Sequence, residues 1–203
     1  VLGWRKGENV WDVEPAFFAN AEGLNDFVYN GFCGANLSKY MIEASKLEGK
    51  TLVFLKPCDT YSFNQLVKEH RVSREKAYII GVGCKGKVKI ENIDAAGILD
   101  VVGADYPDCA EMLTVKTLYG DKQVTYKSAM LERCHVCKGK EHMVYDELMG
   151  ESADTIDADR FAEVAKIEAM SPEEKFAFFQ AELSKCIRCN ACRNVCPACS
   201  CRK

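Results

Sequence analysis

Over the first 125 residues, apolar and polar positions alternate between two periods, as in an α/β layer. TLVFLK at 51–56 and AYIIGVG at 77–83 are short, almost continuously apolar runs, which predicts strands buried on both faces. The opening VLGW has the same character. NLSKYMIEASKL at 36–47 sets Leu37, Tyr40, Met41, Ala44 and Leu47 on one helical face, and Phe63, Leu66 and Val67 repeat that spacing after Pro57-Cys58-Asp59. ILDVVG at 98–103 predicts a further strand, and LTVKTLYG with QVTYK around Gly120-Asp121 predicts a hairpin. The fold class expected is α/β, with a small mixed or parallel sheet flanked by helices.

The pattern then changes. KSAMLERC at 127–134 leads into Cys134-His135-Val136-Cys137, and the acidic, small-residue stretch from Glu151 to Asp159 reads as a linker. Ser171-Pro172-Glu173-Glu174 is a helix start, with a capping hydroxyl, proline in the first turn and an acid three residues on. The helix that follows carries Phe176, Phe179 and Leu183 on one face and delivers the chain to Cys186. We therefore expect an α/β domain over 1–150, a linker and helix over 151–170 and a short helical cluster-binding segment over 171–203. The chain starts at Val1 without an initiator Met and ends abruptly at Lys203, so a fragment of a longer protein is expected.

Composition changes this picture at one residue type. Among 203 residues there are 12 cysteines. The 48% of apolar residues suffices for a core without disulfide staples. A formal charge of −3 with no long single-sign run gives no reason to expect nucleic acid. No apolar stretch is long enough to span a membrane, and a cytoplasmic protein is expected. In a reducing compartment, cysteines serve as metal ligands or catalytic groups more often than as disulfides.

The densest cysteines have a specific spacing. Cys186, Cys189, Cys192 and Cys196 follow the C-x2-C-x2-C-x3-C-P run of bacterial ferredoxins, in which two-residue spacers bring successive thiolates onto corners of one cubane. In two-cluster ferredoxins the fourth cysteine serves the other cluster, so the partner of Cys196 stays open. Cys199 and Cys201 could contribute to a third cluster. Zinc is the alternative, but a zinc knuckle uses two spaced pairs rather than three cysteines at every third residue. Elsewhere, Cys58 and Cys84 end two apolar strands, and Cys134 and Cys137 form a separate pair. If the strands are parallel neighbours, a second cubane could close among these four. The alternative is that Cys58 and Cys84 pack as small apolar side chains. Core packing or a loop position is expected for Cys33 and Cys109.

The segments FLKPCDTYSFNQL, YIIGVGCKG and CHVCKGKEHMVYDELMG resemble the VGTPCQ, IGLFC and C-x2-C-x-D segments of the coenzyme F-420 hydrogenase and dehydrogenase beta-subunit family, which includes formate dehydrogenase beta subunits. ANLSKY is similar to that family's G-S/T-K-Y segment. The resemblance runs in order over roughly residues 1–150. It implies one 4Fe-4S cluster held by Cys58, Cys84, Cys134 and Cys137, with the tail holding another. It also implies electron transfer between a hydride-carrying cofactor and a partner oxidoreductase. The resemblance leaves FAD open as a cofactor, but the family's Ser-Gly-Gly flavin segment has no counterpart here, so FAD is not supported by this chain.

Other polar residues have ordinary explanations. Asp59, Asp146 and Glu147 are read as caps or surface charge as readily as proton carriers. His135 is read as a solvated bystander, and Asp154, Asp157 and Asp159 lack the glycine and glutamate of a calcium loop. No catalytic residue is assigned. The function expected is an iron-sulfur electron-transfer subunit of a hetero-oligomeric anaerobic oxidoreductase complex, with other redox subunits and ferredoxin as candidate partners. The alternatives are a zinc or iron-sulfur structural or sensing module, and a flavin-dependent reductase acting alone.

Overall fold

The computed structural model describes residues 1–105, 111–154 and 157–200. Cys109 and Cys201 lie outside the described residues, as do Arg202 and Lys203.

Among the described residues, eight strands form two sheets. The larger has the order β2-β1-β3-β4-β8, from β1 (Leu2–Lys6), β2 (Val13–Phe17), β3 (Thr51–Leu55), β4 (Ala77–Val82) and β8 (Glu147–Met149). Only the β1–β2 pair is antiparallel; β1–β3, β3–β4 and β4–β8 are parallel. The two apolar runs are thus central neighbours, with Thr51 opposite Ala77 and Leu55 opposite Gly81. Pro15 sits on the edge strand β2, where its missing N–H costs least. The smaller sheet is an antiparallel meander of β5 (Val101–Asp105), β6 (Met112–Thr117) and β7 (Gly120–Thr125).

Helices α1 (Met41–Ala44), α2 (Pro57–Lys68), α3 (Ile90–Ala95), α4 (Tyr126–Ala129), α5 (Glu132–His135), α6 (Ala162–Glu168), α7 (Pro172–Ser184) and α8 (Ala191–Val195) complete the described chain. The helix expected over 36–47 is shorter: a 3-10 turn at Ser38–Tyr40 leads into α1, and Leu47 is exposed. Leu37, Met41 and Ala44 are buried as their spacing requires. Helix α7 starts where the sequence places it: the Ser171 hydroxyl accepts from the Glu174 amide at 3.2 Å and the Glu174 carboxylate accepts from the Ser171 amide at 2.8 Å.

Two apolar clusters hold the α/β region together. One packs Trp4, Leu55, Phe63, Leu66 and Ile79 between α2 and the larger sheet. The other packs Ile93, Leu113, Val115 and Val124 under the smaller sheet. Beyond residue 157 the apolar side chains are not covered in this way: Phe176 and Leu183 are each 70% exposed. Among the described residues no helix is long and apolar enough to cross a membrane.

Candidate functional site: four thiols and three buried lysines at the sheet edge

Parallel β3 and β4 end side by side, so the chain leaves both at the same edge of the sheet. Cys58 follows β3 in the first turn of α2. Cys84 follows β4 in an open turn. The third contribution arrives from far along the chain. The segment after β4 is hydrogen-bonded to residues 129–131: the Lys89 amide donates to the Ala129 carbonyl at 2.9 Å and the Leu131 amide to the Lys87 carbonyl at 2.7 Å. Gly86 makes this approach feasible, because it adopts a left-handed φ of 109° and a Cβ there would sit 2.5 Å from the Met130 methyl. The pairing delivers Cys134 and Cys137 on and after α5. Downstream, the Met143 amide donates to the Thr60 hydroxyl at 3.0 Å, and a His142 ring nitrogen lies 3.2 Å from the Leu55 carbonyl, tying the far side of the pair to β3 and α2.

The result is one small hollow, about 30 Å³, lined by Cys58, Cys84, Cys134 and Cys137 together with Lys56, Lys87, Arg133 and Lys140. It shares Cys58, Arg133 and Cys137 with a wider cleft of about 620 Å³ that adds Tyr61, Lys138 and Arg160. Among the described residues no carboxylate lines either space; Asp59 stands behind the wall, where its Oδ1 accepts from the Cys58 thiol at 3.7 Å. Three of the four thiols are half-buried and Cys58 retains exposed surface. Even so, desolvation by the surrounding protein, followed by the Asp59 charge, pushes the Cys58 thiol up to about 12. Desolvation also raises the Cys134 thiol. Among the described residues no three His, Cys, Asp or Glu side chains converge tightly enough to hold a single metal ion. The thiols are spread around a space instead of gathered on a point. A soft, all-sulfur donor set with no carboxylate fits an iron-sulfur cluster, and Cys58, Cys84, Cys134 and Cys137 are the residues that would hold it.

The cations were not anticipated from the sequence. Lys56 is 2% exposed; its ammonium lies 2.9 Å from Asp59, donates to the Ala35 carbonyl at 2.6 Å and sits 4.4 Å from the Trp4 ring centre. Asp59 is therefore the partner of Lys56, not a free proton carrier. Lys87 is 5% exposed and donates to the Asn30 carbonyl at 2.9 Å over the Tyr29 ring, and burial lowers its pKa. A signal for these residues was present: lysine flanks every cysteine anchor, in LKPC, GCKGK and CKGK. Asp146 is likewise structural. Burial opposes its charge, but Arg74 at 2.8 Å and the Ile79 amide at 2.7 Å outweigh that and hold its pKa low. Glu147 bonds the Tyr78 hydroxyl.

The remaining cysteines fall elsewhere. Cys33 is fully buried in the main core, with the Asn30 amide donating to its sulfur at 3.2 Å. Cys186, Cys189, Cys192 and Cys199 are exposed, and Cys196 is half-buried with its thiol pKa lowered by hydrogen bonds from Ala198 and Cys199. Left-handed backbone at Arg188 and Asn190 bends the chain between Cys186 and α8, which carries Cys192. The tail touches the α/β region through Lys39, whose ammonium donates to the carbonyls of Arg193 at 2.7 Å, Cys196 at 2.7 Å and Cys199 at 3.0 Å. The Ser200 hydroxyl bonds Glu69.

Fold and site thus define a mixed α/β protein whose central parallel strands present cysteine at one sheet edge. No family model matches the chain. Curated relatives do: the F420-dependent formate dehydrogenase subunit beta of Methanocaldococcus jannaschii is 28% identical over 88 residues, and the F420-dependent formate dehydrogenase 1 subunit beta of Methanococcus maripaludis is 30% identical over 88 residues. Each match covers 43% of this chain and 23% of the relative, so the matched stretch spans about a quarter of the relatives' length. These matches support the beta-subunit family to which the cysteine-bearing segments point.

Proposed function

We propose that this chain is an iron-sulfur electron-transfer subunit of an oxidoreductase complex, with one 4Fe-4S cluster on Cys58, Cys84, Cys134 and Cys137. At least one more would lie on the tail run Cys186, Cys189, Cys192 and Cys196. The observation that carries the reading is the convergence of four thiols from three separate stretches on one carboxylate-free hollow. The matched relatives are subunits of formate dehydrogenase, which supports a place beside other redox subunits. A cluster held there supplies one-electron transfer at a potential set by charge, hydrogen bonding and burial.

This chain's own residues provide the setting. The β3 and β4 ends and the arm at 129–137 hold the four thiols apart at fixed positions. Lys56, Lys87, Arg133 and Lys140 supply positive charge around thiols that must be deprotonated to ligate. Lys39 holds the tail's backbone against the same domain, within the reach of the second run. No side chain is assigned an acid-base step.

Anaerobic purification or reconstitution, with iron, acid-labile sulfide and electron paramagnetic resonance measured per chain, tests the reading. About eight iron and eight sulfide, with signals from two reduced clusters, is the expected result. Zinc without sulfide would replace it with a structural module.

A further inference from the structure

Two buried lysines border the hollow without an ion-pair partner among the described residues, Lys87 and Lys140, and Lys87 is the more deeply buried. The Lys87 ammonium contacts the Asn30 carbonyl at 2.9 Å and lies 3.9 Å from the Tyr29 ring centre, and among the described residues no carboxylate lies within ion-pair reach of it. Lys56 is the contrast, being equally buried but neutralised by Asp59 at 2.9 Å. Burying an ammonium away from both water and an anion is costly, and folds retain one where something else offsets it. Lys87 is also held in place: the Tyr29 hydroxyl beneath it donates to the Gly83 carbonyl at 2.7 Å, one residue before Cys84. Lys87 lines the hollow that the four thiols border.

We propose that Lys87 is the built-in counter-charge for an anionic four-thiolate cluster in this hollow, and that it holds the cluster's reduction potential above the value the thiolates alone would set. The inference rests on the cluster assignment above and adds a role for a residue outside the ligand set. The step it affects is uptake of one electron from a one-electron donor. That uptake makes the ligated group more negative by one unit, with no bond made or broken and no proton moved. A fixed cation at its border stabilises the product of that step more than the reactant, which raises the potential. Lys87 is thus a positioning charge, not a ligand.

The test uses the full-length chain with Cys186, Cys189, Cys192 and Cys196 replaced by Ala, so that only the hollow reports. Iron and sulfide are counted, and the potential is read by dithionite titration followed by visible absorbance and electron paramagnetic resonance. About four iron per chain is expected in this parent. Lys87→Met should then shift the potential to a more negative value, and Lys87→Arg should return most of the shift. If the parent takes up no iron and sulfide, the cluster assignment fails and the role of Lys87 fails with it. If Lys87→Met carries full iron and titrates with the parent, only the role of Lys87 is overturned. Should Lys87→Met not fold, Lys87→Gln keeps a donor for the Asn30 carbonyl without charge and carries the same comparison. Iron loading by Lys87→Arg but by neither neutral variant supports the counter-charge, and failure of all three overturns it.

Discussion

The two cysteine groups of this chain are built in opposite ways. In the tail, four cysteines fall within one short segment, and their spacing alone proposes a ligand set while Cys186, Cys189 and Cys192 stay exposed and Cys196 is half-buried. In the α/β region, Cys58, Cys84 and the Cys134/Cys137 pair are separated by long stretches, and only the parallel pairing of β3 with β4 and the return of residues 129–131 bring them to one hollow. A local ligand set can form with little support from the rest of the fold. A set assembled from distant positions inherits the rigidity of the core behind it, and with that a controlled electrostatic surround: three buried lysines, one of them paired with the buried Asp59, and no carboxylate on the wall among the described residues.

That contrast can be broken most decisively at a ligand. Cys84→Ser should remove one cluster outright, a loss of about four iron per chain, and leave the tail's spectrum intact. Cys33→Ala, a core cysteine, should lose none. Iron analysis of both variants beside the parent checks the division.

Assembly should also separate the two regions by pH. With its thiol pushed up to about 12, Cys58 is protonated at neutral pH in the metal-free chain and must lose that proton to bind iron. Loading of the hollow should accelerate as pH rises from neutrality, by up to about tenfold per unit while that deprotonation limits it. The lowered Cys196 thiol should make the tail run less sensitive. The sign for folding is the reverse: stability contributed by the protonated Cys58 is intact below the ordinary thiol pKa of 9.0 and is lost as pH climbs through about 12. Stopped-flow absorbance during reconstitution at several pH values distinguishes the two runs.

The core behind the first site gives the next effect. Phe63 is fully buried between α2 and the larger sheet, five residues after Cys58. Phe63→Ala should cost about 3–5 kcal/mol in chemical denaturation and loosen the first cluster. The same change reaches the tail run through the contacts that Lys39 and Glu69 make with residues 193–200.

Much of the first region was legible beforehand, for physical reasons that differ by element. β3 and β4 could be read because a strand buried on both faces must be continuously apolar, and the start of α7 because its cap uses specific side chains. β8 escaped notice: a short, exposed edge strand pairing only with β4 has no apolar pattern to betray it. The helix at 36–47 was read too long because Leu47 fits the spacing but not the packing. Nothing local marks Lys56 and Lys87 as buried, because lysine is ordinarily a surface residue and burial is decided by what packs over it, which no local window contains. Cys58, Cys84, Cys134 and Cys137 stood out as separate anchors, and their meeting followed only on the condition that the two strands be parallel neighbours, which the β3–β4 pairing meets.

Lys39 joins the two regions, so it sharpens the comparison with a smaller effect. Removing its three carbonyl contacts by Lys39→Met should release residues 193–199 and leave the α/β core unchanged. Because the site is partly exposed, the cost should be about 1 kcal/mol, below the range for buried hydrogen bonds from a charged donor. Hydrogen exchange should rise in the tail alone, and weakened magnetic interaction between the two reduced clusters would show that the contact sets their separation.

The smallest effect belongs to the tail's own local order. Ser171→Ala removes the hydroxyl that accepts the Glu174 amide, and a lost N-cap costs about 1 kcal/mol or less in an exposed helix. Since α7 buries none of its residues, no tertiary packing compensates and the loss should appear directly as faster exchange over its first turns. Iron content should not change, because Cys186, Cys189 and Cys192 lie beyond the helix end and owe their spacing to the chain itself. A fall in tail iron on Ser171→Ala would mean instead that the run depends on α7 for its geometry, and the division between a locally built and a fold-built site would have to be redrawn.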